Sequence, residues 1–145
     1  MARCELRGFD EFLDAMKELE EGIGDVADEA LNKAAPTAAE ALSQCITEVA
    51  DRRDRNGKPY ATGELAASIT PTKAKENAYG HFIAARPVGM DDRGIRNGEK
   101  LAYLEYGTCV QDARPVIGRA ANRAAPKCAK IIQNTIDKYV DKLWK

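Results

Sequence analysis

From Ile117 to Leu143, apolar residues return every three or four positions through roughly eight helical turns. The row is Ile117, Ala120, Ala121, Ala124, Cys128, Ile131, Ile132, Thr135, Ile136, Tyr139, Val140 and Leu143. Such a stripe specifies a long amphipathic helix with one face to bury. Pro115 fits its first position, and Pro126 predicts a kink. A second stripe follows the same spacing: Val26, Ala30, Ala34, Ala38, Leu42, Cys45, Ile46 and Val49. Most of it is alanine, so another helix or a sheet can approach closely. Asp25 is the expected cap of this second helix. Pro36 interrupts it, and Thr37 with Glu40 form a capping box, which predicts either a kink or two abutting helices. A first helix precedes it. Phe9, Phe12, Leu13, Met16 and Leu19 fall at offsets 0, 3, 4, 7 and 10, with Asp10 as N-cap and Gly22 and Gly24 as the stop.

The chain has 145 residues, the size of one domain, with 44% hydrophobic and 31% charged residues. No apolar run approaches the ~18 residues of a membrane span. The segment MARCELRGFDEF lacks a secretory h-region, so synthesis is expected in a cytosol. Cys4, Cys45, Cys109 and Cys128 form no CxxC pair, and His81 is the single histidine, a poor basis for a zinc site. Reduced, neutral thiols are the simpler expectation. A net charge of −1 argues against a general nucleic-acid binder. The charge is uneven, however. Residues 1–85 carry 10 Lys/Arg against 16 Asp/Glu, and residues 86–145 carry 12 against 7. Opposite charges of this kind attract within one fold or between neighbouring copies.

Between the helical stretches the signals are shorter. CELRGF reads as a short strand, and DRRDRNGKPY at 51–60 as a charged loop with an Asn56-Gly57 turn. In ATGELAASI, Thr62 suits the cap of a short turn that contains Glu64 and Leu65. Ile69 then starts an extended segment, which Pro71 assigns to a sheet edge. Residues 78–86 read as a strand on the strength of Tyr79, Phe82 and Ile83. Residues 87–98 read as a mobile loop that ends at Asn97-Gly98. Residues 101–106 fit a strand or a two-turn helix. Composition favours helix, with Gly107 as the left-handed residue past its end. Tyr139 and Trp144 are placed to dock on the body or on a partner.

A search for chemistry is negative. Cys109 follows a glycine turn, but a thiol nucleophile needs a base, and nothing in the sequence brings His81 to it. Glu64, Glu105 and the aspartates form no distinctive pair. Phosphate-binding glycine loops and an EF-hand pattern are absent from the sequence. Catalytic, cofactor and metal residues are therefore expected to be none.

Three segments occur in order: TGELAASI at 62–69, LAYLEYGT at 101–108, and ARP at 113–115 ahead of a helix. They follow a helical half that begins LRGFDEFLDAMKEL. This arrangement resembles the tail-component family of long-tailed bacteriophages, the head–tail joining or tail-completion proteins. That family shows a segment like APVDTGxLRxSI, then YAxYVEFGTxxxxARPFLxPA, then a C-terminal helix. The likeness spans nearly the whole chain. Departures are Pro59-Tyr60-Ala61 before the threonine-glycine step, Ala66 after GEL, Val116 in place of an aromatic, and Arg119 in place of a second proline.

The resemblance implies a structural subunit without catalysis, joining head to tail as a ring of its own copies beside phage neck and tail proteins. Its implied location is the host bacterial cytoplasm during assembly and then the virion, with no membrane and no sequence-specific nucleic acid as partner. The segments imply structural or inter-subunit roles for Thr62, Gly63, Glu64, Leu65, Tyr103, Glu105, Tyr106, Gly107, Thr108, Arg114 and Pro115. Arg114 is expected to pair a carboxylate, Glu105 or Glu64. The expected fold is a single α+β domain over 1–145: an N-terminal helical pair, a small mostly antiparallel sheet and a long C-terminal helix. The alternative of another class is a cytosolic adaptor that binds a protein through its alanine-rich helices. A cysteine hydrolase comes third.

Overall fold

The computed structural model describes residues 9–50, 56–57 and 61–144. The strand expected over CELRGF, and all of the 51–60 loop except its Asn56-Gly57 turn, lie outside the described residues. The elements are α1 (Phe9–Val49), α2 (Glu64–Ala67), β1 (Ile69–Pro71), β2 (Lys75–Asn77), β3 (Gly80–Phe82), β4 (Ala85–Pro87), α3 (Asn97–Tyr106) and α4 (Ile117–Leu143). The chain is thus α+β, dominated by two long helices. No helix among the described residues is long and apolar enough to cross a membrane.

The expected N-terminal helical pair is one helix. α1 runs 41 residues, about 60 Å, through Gly22, Gly24 and Pro36. The glycines do not stop it, because tertiary packing outweighs a helix-propensity cost of about 1 kcal/mol each. A Cβ on Gly22 would stand 1.9 Å from the Tyr139 hydroxyl oxygen. That hydroxyl donates to the Glu18 carbonyl at 3.3 Å. Gly22 is therefore where the Tyr139 side chain of α4 reaches α1, and not a terminus. Nor does the helix restart at Thr37. Pro36 leaves the Asn32 carbonyl without its usual helical donor, yet the helix continues on both sides.

α4 packs antiparallel along α1. Trp144 meets Phe12, Tyr139 meets Glu18, Cys128 meets Ala34, and Arg119 and Arg123 meet Glu48. Val26, Ala30 and Ala34 on α1, with Ala120 and Ala124 on α4, are buried. Small side chains let two helix backbones approach, as the alanine stripes imply. The main core lies towards the C-terminal half of α1. Leu42, Cys45 and Ile46 pack there with Ile69 and Val116, and Leu65, Leu101 and Leu104 cover them.

The strands form one interrupted hairpin. Antiparallel β1–β4 pairs Ile69 with Pro87, and β2–β3 pairs Lys75 with Phe82. Between the two ladders residues 72–74 face residues 83–84, three against two, which is a bulge. Pro71 does sit on an edge, since each ladder has two strands. The strand expected over 78–86 is corrected: Ala78 and Tyr79 form the hairpin tip, where the Asn77 side chain accepts from the Tyr79 N–H at 2.8 Å. The polar strand Lys75–Asn77 carries no apolar alternation to announce it. The hairpin rests on α1 through the Ala74 N–H on Asn32 Oδ1 at 2.8 Å and through His81 Nδ1, 2.7 Å from Asp28 Oδ1.

Ile46→Ala should lower stability by about 2–5 kcal/mol, because it opens a cavity in the core. Ile117→Ala, at a side chain 46% exposed, should cost less than about 1 kcal/mol. Urea unfolding of the two variants checks the difference.

Candidate functional site

The segment LAYLEYGTCVQDARP links α3 to α4. Residues 101–106 are helical, as composition favoured, and the Gly107 N–H donates to the Tyr103 carbonyl at 2.9 Å. Gly107 has φ +78°, and a Cβ there would lie 2.8 Å from both the Ala113 nitrogen and the Gln111 oxygen. Positive φ and close backbone approach both require glycine. Thr108 and Gln111 then close a tight turn, with the Thr108 N–H on the Gln111 carbonyl at 2.8 Å. Cys109 and Val110 form its exposed tip.

Two charged side chains at either end of this turn act on helix termini. The Arg114 guanidinium donates to the Val49 carbonyl, at the last residue of α1, at 2.8 Å. The Arg114 main-chain N–H donates to the Leu104 carbonyl at 2.7 Å. A cation at a helix C-terminus satisfies an orphan carbonyl and complements the helix dipole. Glu105 Oε2 accepts from the N–H groups of Val116 and Ile117, at 2.7 and 3.1 Å, at the start of α4. An anion there is the mirror arrangement. The expected pairing of Arg114 with Glu105 or Glu64 is thus corrected. Main-chain ends of α1 and α4 occupy both side chains, a partner choice that no residue spacing encodes. Pro115 precedes α4 by two residues, with Val116 at the cap position.

The TGEL segment lies alongside. Gly63, at φ +84°, holds the cap position of α2, and no side chain caps that helix, so the role expected of Thr62 is not seen. The Ser43 hydroxyl donates to Ala66 O at 2.9 Å and fixes α2 to α1. Leu65 packs on the core. Glu64 sits 3.9 Å from Lys100, whose ammonium lies 2.9 Å from Asp91.

Asp91 organises the 87–98 segment, which has internal bonds where a mobile loop was expected. One carboxylate oxygen accepts from the Arg93 and Ile95 N–H groups, both at 2.9 Å. Asn97 is buried and begins α3, so Asn97-Gly98 is a helix start and not a turn. Its side-chain amide donates to Val88 O at 2.7 Å. None of the expected site residues was Asp91, Lys100 or Asn97. The Asp-x-x-Gly spacing at 91–94 was the one available signal for a turn built on Asp91.

Glu48 closes the neighbouring side. Arg123 forks onto it at 2.6 and 3.2 Å, and Arg119 reaches it at 3.0 Å. The Arg123 hydrogen bond, and then the charges of Arg123 and Arg119, hold the Glu48 carboxyl below its ordinary range. Part of the acidic/basic asymmetry is therefore spent within the fold. Lys100 lowers Asp91 in the same way, helped by the Ile95 and Arg93 N–H groups.

Tyr103 and Tyr106 remain exposed beside this junction. The structure does not bring Cys109 to His81. His81 meets α1 at Asp28, whereas the Cys109 turn is tied through Arg114 to Val49, roughly 30 Å further along the helix. Among the described residues no three His, Cys, Asp or Glu side chains converge as a metal site. No family model matches the chain, and it matches no curated protein and no solved structure.

Gly107→Ala should destabilise by about 2–3 kcal/mol through backbone strain, and Arg114→Ala by about 1.5–3 kcal/mol through a lost charge-assisted bond, both read by thermal and urea unfolding. Asp91 has a depressed folded pKa, so its contribution is complete above the ordinary aspartate range and is lost as pH falls through the lower folded value. Asp91→Asn should accordingly flatten the acid limb of the stability–pH profile.

Proposed function

We propose that this chain is a structural subunit of the head–tail junction of a long-tailed phage, a tail-completion or neck protein that assembles as a ring. One observation supports this best: the side chains of the resemblance segments serve architecture. Arg114 and Glu105 hold helix ends, Gly107 permits a tight crossing, and Lys100 bridges TGEL to the loop before α3. Beside this frame the chain exposes Tyr103, Tyr106 and Val110, large side chains suited to contact with another protein. A ring needs head-to-tail contacts that close, and opposed charges on one chain suit their steering. On this reading the subunit gathers in the host bacterial cytoplasm and ends in the virion, with phage neck and tail proteins as its neighbours.

Light scattering over a concentration series, micrographs of the heaviest fraction and pull-downs against phage neck and tail proteins test the proposal. Closed rings of fixed size, or capture by those proteins, are expected. A protein that forms no ring, ignores them and captures a host protein supports the adaptor reading instead. Tyr106→Ser should weaken ring closure or capture while leaving the melting temperature within about 2 °C.

A further inference from the structure

The two halves of the hairpin rest on different supports. Its base, β1 with β4, lies where α1 is apolar. Ile69 packs there with Ala39, Leu42, Cys45 and Ile46, and the Val88 N–H donates to Ser68 O at 3.0 Å. The base ends at Thr72 and Ala84. The Thr72 N–H donates to Ala84 O at 2.7 Å, and the Ala84 N–H to Thr72 Oγ1 at 3.0 Å. Beyond the bulge the support changes. The outer ladder, β2 with β3, lies over Gly24, Asp28 and Asn32, a row at intervals of four along α1 that holds no apolar side chain. Of residues 75–82, seven are exposed and His81 alone is half-buried. Among the described residues, two hydrogen bonds tie residues 73–83 to α1, from the Ala74 N–H to Asn32 Oδ1 and between His81 and Asp28. The His81 ring also covers Gly24, 3.7 Å from where a Cβ would stand.

A segment held by polar contacts, with no buried apolar side chain, opens at a lower free energy than the core it is attached to. Water replaces both latch bonds as they part, so they hold less firmly than the apolar burial under the base. The bulge interrupts the ladder between the two halves and supplies the hinge. We propose that residues 74–82 form a flap that swings off α1 independently of the rest of the fold. It is hinged at the bulge and latched by His81 on Asp28 and by Asn32 on the Ala74 N–H. Tyr79, 99% exposed, rides at its tip, where the Asn77 side chain holds the Tyr79 N–H. Opening moves that tyrosine relative to α1 and bares the Asp28 carboxylate, while the base keeps Ile69 in the core. The latch thus sets where an aromatic contact residue is presented. The flap is a property of the fold and does not depend on the phage reading.

Hydrogen exchange of the full chain, read by NMR, tests the flap. Amides of the β2–β3 ladder should exchange at least about a hundredfold faster than those of α1 around Cys45, at a rate that low urea leaves unchanged, as local opening requires. His81→Ala and Asn32→Ala should each speed exchange across 74–82 at least about fivefold, the loss of one latch bond. The Val88 amide should keep its rate, and the melting temperature should stay within about 2 °C. Where the ladder amides exchange too fast to rank, the rate of trypsin cleavage after Lys75 gives the same comparison between the chain and its variants. A β2–β3 ladder that exchanges with the core, and with the core's urea dependence, overturns the inference. So does an exchange or cleavage rate that neither variant changes. Equal acceleration at Val88 and across 74–82 also overturns it, because the hairpin then opens as one unit.

Discussion

The close approach of α1 and α4 is the constraint on which the rest of the molecule depends. Buried alanines on both helices remove side-chain bulk between two backbones, and Gly22 extends that approach to Tyr139. The hairpin, α2 and the connection between α3 and α4 are then hung on α1, while α3 packs on β4 and α2. The hairpin attaches at Asp28 and Asn32, α2 at Ser43, and the α3–α4 connection at Val49. With one rod as the common support, the irregular middle of the chain needs little core of its own.

The two rod ends that meet at the body have opposite electrostatic needs, and one short connection meets both. Arg114 supplies a cation to the C-terminal end of α1, and Glu105 an anion to the N-terminal end of α4. Glu48 adds a cross-strut to Arg119 and Arg123. These polar groups are committed to holding helices, and the nearby surface presents tyrosines and an exposed turn.

Much of the framework was legible because helical periodicity is a local signal. The stripe over 117–143 and the alanine face over 26–49 both became helices; the second buries most of its face, while on the first only Ala120 and Ala124 are buried. Residues 101–106 fitted strand or helix in the sequence, composition leaning to the helix that is found, and Gly107 does end it at positive φ. The misreadings share one cause. Gly22 and Gly24 look like a stop until Tyr139 is seen filling the space beside Gly22. Tyr79 and Phe82 look like one strand until Asn77 makes the turn. Asn97-Gly98 looks like a turn until the buried Asn97 amide finds Val88 O.

The candidate site divides along the same line. Gly107 stood out from the sequence because few residue types suit a positive φ, whereas Arg114 and Glu105 were singled out by the resemblance. Their partners did not stand out, because a main-chain carbonyl or N–H has no sequence signature. Sequence alone determined that two long amphipathic helices must form and bury small-residue faces, a consequence of spacing along one chain. Only the tertiary structure decided that α1 is unbroken, that Arg114 and Glu105 serve different helix ends, and that half the apolar stripe stays open. Each of those depends on which distant backbone or side chain arrives at a given place.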